Sequence, residues 1–244
     1  QTHDVIIAGG GVMGSALAYC LTGRDPNIRA AVIERDPSYE KASTALSMVN
    51  ARIQFSLRQN VEISRYTFEV FDRFEEEMQV DGKKPDISLR REGNLFLIDE
   101  NSRPDAEKAL KMQQELGCDV YWMTPDEIRG KYPLYNPSGY AGGTFSPNDG
   151  HFDAYSLLKA YKAKAVSQGA EFIKGKVTEI NRSDNRVTGV TLDSGETYKA
   201  GVVVNCTGAW CADLAATVGV ELPIEPVKRQ IYVLDTQVKP ESPL

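Results

Sequence analysis

Three glycines, an acid and an arginine carry most of the chemistry legible in this chain. Gly9, Gly11 and Gly14 satisfy G-x-G-x-x-G, and Glu34 follows twenty positions after Gly14. Gly9 suits a tight turn. Gly11 has no Cβ, so a pyrophosphate can approach its backbone. Gly14 allows close packing of helix on strand. The amides of Val12 and Met13 would face the phosphates from the positive end of a helix. Glu34 is placed to accept hydrogen bonds from ribose hydroxyls, and Arg35 stands beside it. The pattern predicts a dinucleotide site. A strand-turn-helix whose glycines only serve the turn is the plainer alternative.

Those groups need elements to hold them. Val5–Ala8 is an apolar run that reads as a buried strand. A helix follows, with Val12, Ala16, Leu17 and Cys20 expected on its inner face. Ala30–Ile33 reads as the second strand of a βαβ unit. The small polar stretch from Ala42 to Ser47 has two readings. It runs past a flat ligand, with Ser43 and Thr44 bonding phosphate or ribitol, or Ser43 caps a helix. Asn50–Phe55 leads into a long helix from about Leu57 to Met78. Its stripe of Val61, Phe68, Phe71 and Met78, with Val70 and Phe74 beside it, reads as core.

The style then changes. Ser88–Arg91 and Asn94–Ile98 are expected as an antiparallel pair. A helix ending at Gly117, a strand at Asp119–Met123, a capping box at Thr124–Glu127 and a strand at Tyr140–Ser146 follow. From Asp153 the first style returns. There is a helix Tyr155–Gln168 and a strand Glu171–Ile173. A meander of Lys176–Asn181, Arg186–Leu192 and Glu196–Ala200 comes next. Val202–Cys206 reads as a separate central parallel strand. A helix Cys211–Val218 and a strand Gln230–Leu234 complete the expected elements.

Bulk properties exclude several classes. The chain has 244 residues, 41% hydrophobic and 25% charged, ordinary globular values. A net charge of −6 without a long basic run gives no nucleic-acid surface. No apolar run approaches the roughly 20 residues of a membrane span. Four cysteines fit no zinc pattern and, with two histidines, give little material for a metal site. They read as reduced thiols, which points to the cytoplasm, or to the mitochondrial matrix in a eukaryote. The start at Gln1 fits a trimmed, processed or incomplete chain.

The βαβ unit, the meander and then Val203-Val204-Asn205-Cys206-Thr207-Gly208-Ala209-Trp210 together resemble the glutathione-reductase-like FAD fold. Within it the chain resembles the D-amino-acid oxidase superfamily, in the branch of sarcosine oxidase and dimethylglycine dehydrogenase. Ser43–Ser47 with Arg52–Ser56 is similar to that branch's stretch beneath the flavin. Asp149–Asp153 is similar to its turn back to the FAD domain, and Glu225–Gln230 to its entry into the second half of the substrate sheet.

The resemblance implies an α/β Rossmann FAD-binding domain (residues 1–80 and 150–222) with an interleaved mixed or antiparallel-sheet substrate domain (81–149 and 223–244). It implies FAD as cofactor and an amine or amino acid as substrate, with oxygen, quinone or an electron-transfer flavoprotein as electron acceptor. Hydroxy substrates and a non-catalytic FAD-binding assembly factor are the alternatives. Ser47, Met48 and Val49 are implied at the isoalloxazine, Val177 at adenine, and Thr207 and Gly208 at the pyrophosphate. Trp210 either shields the pyrophosphate or packs as core. Arg52 is the candidate for a substrate carboxylate or for charge on reduced flavin, or else a surface arginine opening the long helix; Gln54 is its neighbour. Where that branch often carries Gly-Gly, this chain has Val49-Asn50-Ala51. Relatives continue past Leu244 with further substrate-domain strands, so the chain is expected to be part of a longer protein.

Overall fold

The computed structural model describes residues 2–233 and 235–238. Leu234 and the closing stretch from Lys239 to Leu244 lie outside the described residues, so the expected strand Gln230–Leu234 is seen only to Val233, and 230–233 is not strand.

In chain order the elements are β1 (Thr2–Ala8), α1 (Val12–Arg24), β2 (Ala30–Glu34), β3 (Asn50–Ala51), α2 (Arg58–Glu77), β4 (Arg90–Arg91) and β5 (Asn94–Ile98). There follow α3 (Arg103–Glu115), β6 (Tyr121–Met123), α4 (Pro125–Lys131), β7 (Gly142–Ser146) and β8 (Gly150–His151). The last are α5 (Ala154–Ser167), β9 (Glu171–Lys174), β10 (Val177–Ser183), β11 (Arg186–Leu192), β12 (Thr197–Asn205), a 3-10 turn at Gly208–Trp210, and α6 (Cys211–Ala216).

They form two compact units. One holds Gln1–Ser47, Glu76–Asp86 and Ala154–Gln230; the other holds Met48–Glu75, Ile87–Asp153 and the chain from Ile231. Residues 48–75 thus cluster with the second unit, although the sequence reading placed 1–80 with the first.

The first unit is built on a six-stranded sheet in the order β10-β11-β12-β1-β2-β9. β12, β1, β2 and β9 run parallel, and β10, β11 and β12 are antiparallel. The expected third meander strand and the expected central strand are one element. β12 pairs with β11 at Thr197–Lys199 and with β1 from Lys199 to Asn205. The expected strands stopped at Ala200 and resumed at Val202, but a single extended strand spans Gly201.

One face of β1 and β2 packs on α1 and α5 through Val5, Ile7, Val32, Ala18 and Ala165. The opposite face, Ile6, Ala31 and Ile33, packs on Val190 and Leu192 of the meander. The fully buried residues of α1 are Gly14, Ser15, Ala18 and Thr22; of the expected Val12, Ala16, Leu17 and Cys20, Leu17 packs partly buried against the core and Cys20 is exposed. Small residues win because the helix lies too close to the sheet for large ones. Their hydroxyls are satisfied locally, Ser15 Oγ on the Gly10 carbonyl and Thr22 Oγ1 on that of Ala18.

In the second unit, β5-β7-β6 and β3-β8-β4 are two small sheets. β4 and β5 do not pair with each other as expected; β4 joins β8 and β5 joins β7. The two-residue gap between them, Glu92-Gly93, is not a hairpin turn, because Gly93 N donates to the Asp149 carbonyl. Met123, Ile128, Tyr132 and Phe145 form the core beneath β7. The expected capping box of α4 is present at Thr124 and Glu127. Within this unit α2 buries Val61, Phe68, Phe71 and Phe74, and Phe71 meets Phe152 with ring centroids 5.0 Å apart.

Candidate functional site

The candidate residues of the first unit gather at the C-terminal ends of β1, β2 and β12, where open α/β sheets place ligands. Gly9 has φ +98°, and a Cβ there would lie 2.4 Å from the Cys206 carbonyl oxygen. A Cβ on Gly14 would lie 1.9 Å from the Gly9 carbonyl oxygen. Both positions therefore exclude any side chain. Gly11 is different: the nearest atom to its would-be Cβ is Thr44 Oγ1 at 3.5 Å. As the N-cap of α1 it supplies no side-chain hydrogen bond of its own to the helix end.

Glu34 holds the glycine turn from below. Its Oε2 accepts from the Gly10 amide at 2.7 Å and its Oε1 from the Asp36 amide at 2.8 Å. Thr44 Oγ1 accepts from the Val12 amide at 3.2 Å. The Ser43–Ser47 stretch is turn, not helix, so Ser43 caps nothing. Met13 is exposed.

After β12, Asn205 organises the next turn. Its Oδ1 accepts from the Thr207 hydroxyl at 2.7 Å and amide at 3.2 Å, and its Nδ2 donates to the Cys211 carbonyl. Gly208 has φ +61° and open space where a Cβ would stand. The Arg35 guanidinium lies 3.6 Å above the Trp210 ring, and Trp210 is partly exposed, which rules out a plain core tryptophan. Val177 packs on Val203 and Val190 at the start of β10. Sequence reasoning named Thr207, Gly208, Arg35, Trp210 and Val177 as site residues but gave no role to Asn205, which organises the turn that follows it.

Met48, Val49, Arg52 and Gln54 belong to the second unit. Met48 is exposed. Val49 has φ +54°, a conformation that strains a β-branched residue by roughly 1–2 kcal/mol. It is held by the Phe152 amide on its carbonyl and by pairing of β3 with β8. Arg52 is exposed, and its guanidinium lies 4.9 Å from the Phe55 ring centroid and 5.5 Å from that of Phe96. Among the described residues no carboxylate pairs with it. It lines a cavity of about 330 Å³ with Asn50, Phe55, Ser64, Thr67 and Phe152. Gln54 Nε2 donates to the Asn94 carbonyl at 3.0 Å, and its buried Oε1 has no hydrogen-bond partner.

Beneath this segment lies Asp149, which the sequence reading took as a turn residue. It is fully buried. Oδ1 accepts from the Ile53 amide and the Ser146 hydroxyl, both at 2.9 Å, and Oδ2 from Asn94 Nδ2 at 3.3 Å. Burial pushes its carboxyl above the usual carboxylate range, and the Ile53, Ser146, Gln54 and Asn94 hydrogen bonds pull it back.

A family model described as FAD dependent oxidoreductase (DAO) matches residues 4–244. The chain belongs to this family. FAD is its cofactor. The Bos taurus protein named FAD-dependent oxidoreductase domain-containing protein 1 is 33% identical over 280 residues, covering 100% of this chain and 58% of that one. Glycine oxidase of Geobacillus kaustophilus is 30% identical, covering 97% of this chain and 62% of the oxidase. Among solved structures, L-proline dehydrogenase from P. horikoshii superposes with a TM-score of 0.78 at 26% identity, over 90% of this chain and 56% of the dehydrogenase. The chain spans a little over half the length of the curated relatives it matches.

The first unit of this member of the FAD-dependent oxidoreductase family has features that suit FAD. The open backbone at Gly11 and Gly208 suits a pyrophosphate, while the Val12 amide at the start of α1 already donates to Thr44 Oγ1. The carboxylate of Glu34 keeps lone pairs beyond its two amide donors for ribose hydroxyls. Burial pushes the Cys118 and Cys206 thiols up, which makes them poor nucleophiles. Among the described residues no cluster of three or more His, Cys, Asp or Glu could hold a metal, and no helix is long and apolar enough to cross a membrane.

Glu34→Gln is expected to weaken FAD binding roughly ten- to a hundredfold. One amide acceptor becomes a donor facing an N–H, and a bond to a charged group is worth about 1.5–3 kcal/mol. Titration of flavin fluorescence with apoprotein checks this; wild-type affinity would separate Glu34 from the cofactor.

Proposed function

We propose that this chain is the FAD-binding part of an enzyme that oxidises an amine or amino acid, of the sarcosine, dimethylglycine, proline or D-amino-acid type. One observation carries the reading: Arg52, an exposed guanidinium with no carboxylate partner, lines a cavity with hydroxyl and aromatic neighbours. A guanidinium so presented binds a carboxylate in a bidentate way. Ser64 and Thr67 supply hydroxyls for a polar substituent, and Phe55 and Phe152 an apolar wall.

The first unit is the FAD-binding domain in this reading. Gly9, Gly11, Gly14, Val12 and Met13 hold the pyrophosphate, with Thr207 and Gly208 from β12. Glu34 holds the ribose, with Arg35 beside it; Val177 lies toward the adenine and Trp210 shields the pyrophosphate; Ser43 and Thr44 reach the phosphates or ribitol. Ser47, Met48 and Val49 are the stretch for the isoalloxazine, and Gln54 accompanies Arg52 on the substrate side. FAD, when bound, supplies the acceptor for the substrate's hydride. Arg52 orients the substrate by its carboxylate. Oxygen, quinone or an electron-transfer flavoprotein takes the electrons onward. The likeness to glycine oxidase and L-proline dehydrogenase supports an amino-acid substrate. The free cysteines fit a reducing compartment, the cytoplasm or the mitochondrial matrix.

Anaerobic mixing of the FAD-loaded protein with sarcosine, proline, D-amino acids, glycerol 3-phosphate and 2-hydroxy acids tests the reading. Bleaching of the flavin by an amine or amino acid alone is the expected result. Bleaching by a hydroxy substrate alone would move the chain to that class, and bleaching by none would favour a non-catalytic FAD-binding factor.

A further inference from the structure

The segment around Arg52 is anchored on both sides by one buried acid. Ile53 gives its amide to Asp149 Oδ1 at 2.9 Å across 96 positions of sequence. On the other side, Asn50 and Asn94 exchange amide hydrogen bonds at 3.0 and 2.7 Å, and Asn94 in turn donates to Asp149 Oδ2. Gln54 closes the loop by donating to the Asn94 carbonyl. The chain from Asn50 to Gln54 is therefore tied at 50, 53 and 54 to a group with no solvent exposure, while Arg52 between them stays free to meet a ligand. A carboxylate is an expensive anchor in such a place. It loses its hydration, and a neutral amide or hydroxyl could bond a single N–H at lower cost. What a carboxylate adds is acceptor capacity for several donors at once, with no competing donor of its own.

We propose that Asp149 is a positioning residue for Arg52: it fixes the backbone of Asn50–Gln54 so that the guanidinium is presented for a substrate carboxylate. The inference rests on the reading of Arg52 as the carboxylate-binding group. Asp149 itself touches neither substrate nor cofactor. It acts through the Ile53 amide and through the Asn94–Asn50 pair. Asp149→Asn keeps the shape but places a donor against either Asn94 Nδ2 or the Ile53 amide, so one tie must break. The segment is then fixed by fewer points, and Arg52 loses its preset geometry.

The test uses acetate as a carboxylate probe and acetamide as its neutral counterpart, read by perturbation of the flavin absorbance of the FAD-loaded protein. D149N is expected to bind FAD like the wild type, to bind acetate about fivefold more weakly and to leave acetamide unchanged. In an Arg52→Ala background the same change should cost no further acetate affinity, the non-additivity of two residues acting as one unit. Asn50→Ala, at an exposed position, cuts the outer tie. It should give about a twofold loss, also absent without Arg52, and it decides the matter if D149N does not fold. Unchanged acetate affinity in D149N or N50A, with R52A weakened, overturns the positioning role and leaves the substrate reading standing. Unchanged acetate affinity in R52A overturns both.

Discussion

Gly14→Ala is expected to yield a colourless protein. The new Cβ would sit 1.9 Å from the Gly9 carbonyl oxygen and 3.2 Å from Ile7 Cγ2. The first contact is backbone on backbone, so no rotamer relieves it. α1 would have to lift from β1, carrying with it the Ser15–Gly10 and Val12–Thr44 hydrogen bonds that shape the turn. Overpacking of this kind costs about 1–3 kcal/mol, and here it distorts the phosphate cradle directly. We expect at least a hundredfold weaker FAD binding and a lowered melting temperature.

Gly11→Ala is the informative contrast. Its Cβ would meet nothing nearer than Thr44 Oγ1 at 3.5 Å, and the residue has an ordinary φ of −59°. The apoprotein should melt like the wild type yet bind FAD weakly, because the methyl stands where the pyrophosphate approaches. Visible absorbance of the purified variants and their melting by circular dichroism separate the two effects. Equal FAD content in both variants and the wild type would show that the glycines serve only the turn.

Arg52→Ala should leave FAD content and melting temperature unchanged, since the side chain is exposed and makes no ion pair among the described residues. Its loss should lower kcat/KM for a carboxylate-bearing amine roughly ten- to a hundredfold, the worth of about 1.5–3 kcal/mol for hydrogen bonds between charged partners. Arg52→Lys should recover part of this, because an ammonium keeps the charge but not the planar fork. An amine without a carboxylate should be nearly indifferent to either change. Steady-state kinetics on the substrate that bleaches the flavin would decide it; unchanged kcat/KM in R52A removes Arg52 from the site.

The contrast between these two predictions follows how each group is held. The glycine cradle is local, with strand, turn and helix contiguous from Val5 to Ala18. Close approach can be read there from residue types alone. The Arg52 segment takes its shape from Asp149, Asn94 and His151, far along the chain; His151 Nε2 lies 3.3 Å from Asn50 Nδ2. Asp149 precedes Gly150 and has the look of a turn former. Nothing in its neighbours signals complete burial.

The same division runs through the fold. The rotation of α1 was misread because large apolar residues were taken as the inward face, whereas contact distance selects the small ones. The β4–β5 pairing was misread because sequence adjacency suggests a hairpin, while β8 and β7 compete for the same edges from more than forty residues away. The merged β12 was missed because its polar start and apolar end have different neighbours, an antiparallel partner and then a parallel one.

By itself the amino-acid sequence determined the nucleotide-binding βαβ unit, the acid that closes it, the capping box of α4, the meander and the FAD family. Each is written in residue types at short fixed spacing, where backbone sterics and helix-end chemistry act over a few positions. Tertiary structure alone decided that Thr44 bonds the Val12 amide, that Arg35 lies on Trp210, and that Asp149 ties down the chain beside Arg52. Those contacts join residues separated by tens of positions. Their partners are chosen by packing of the folded chain, and no local pattern encodes which distant group will arrive.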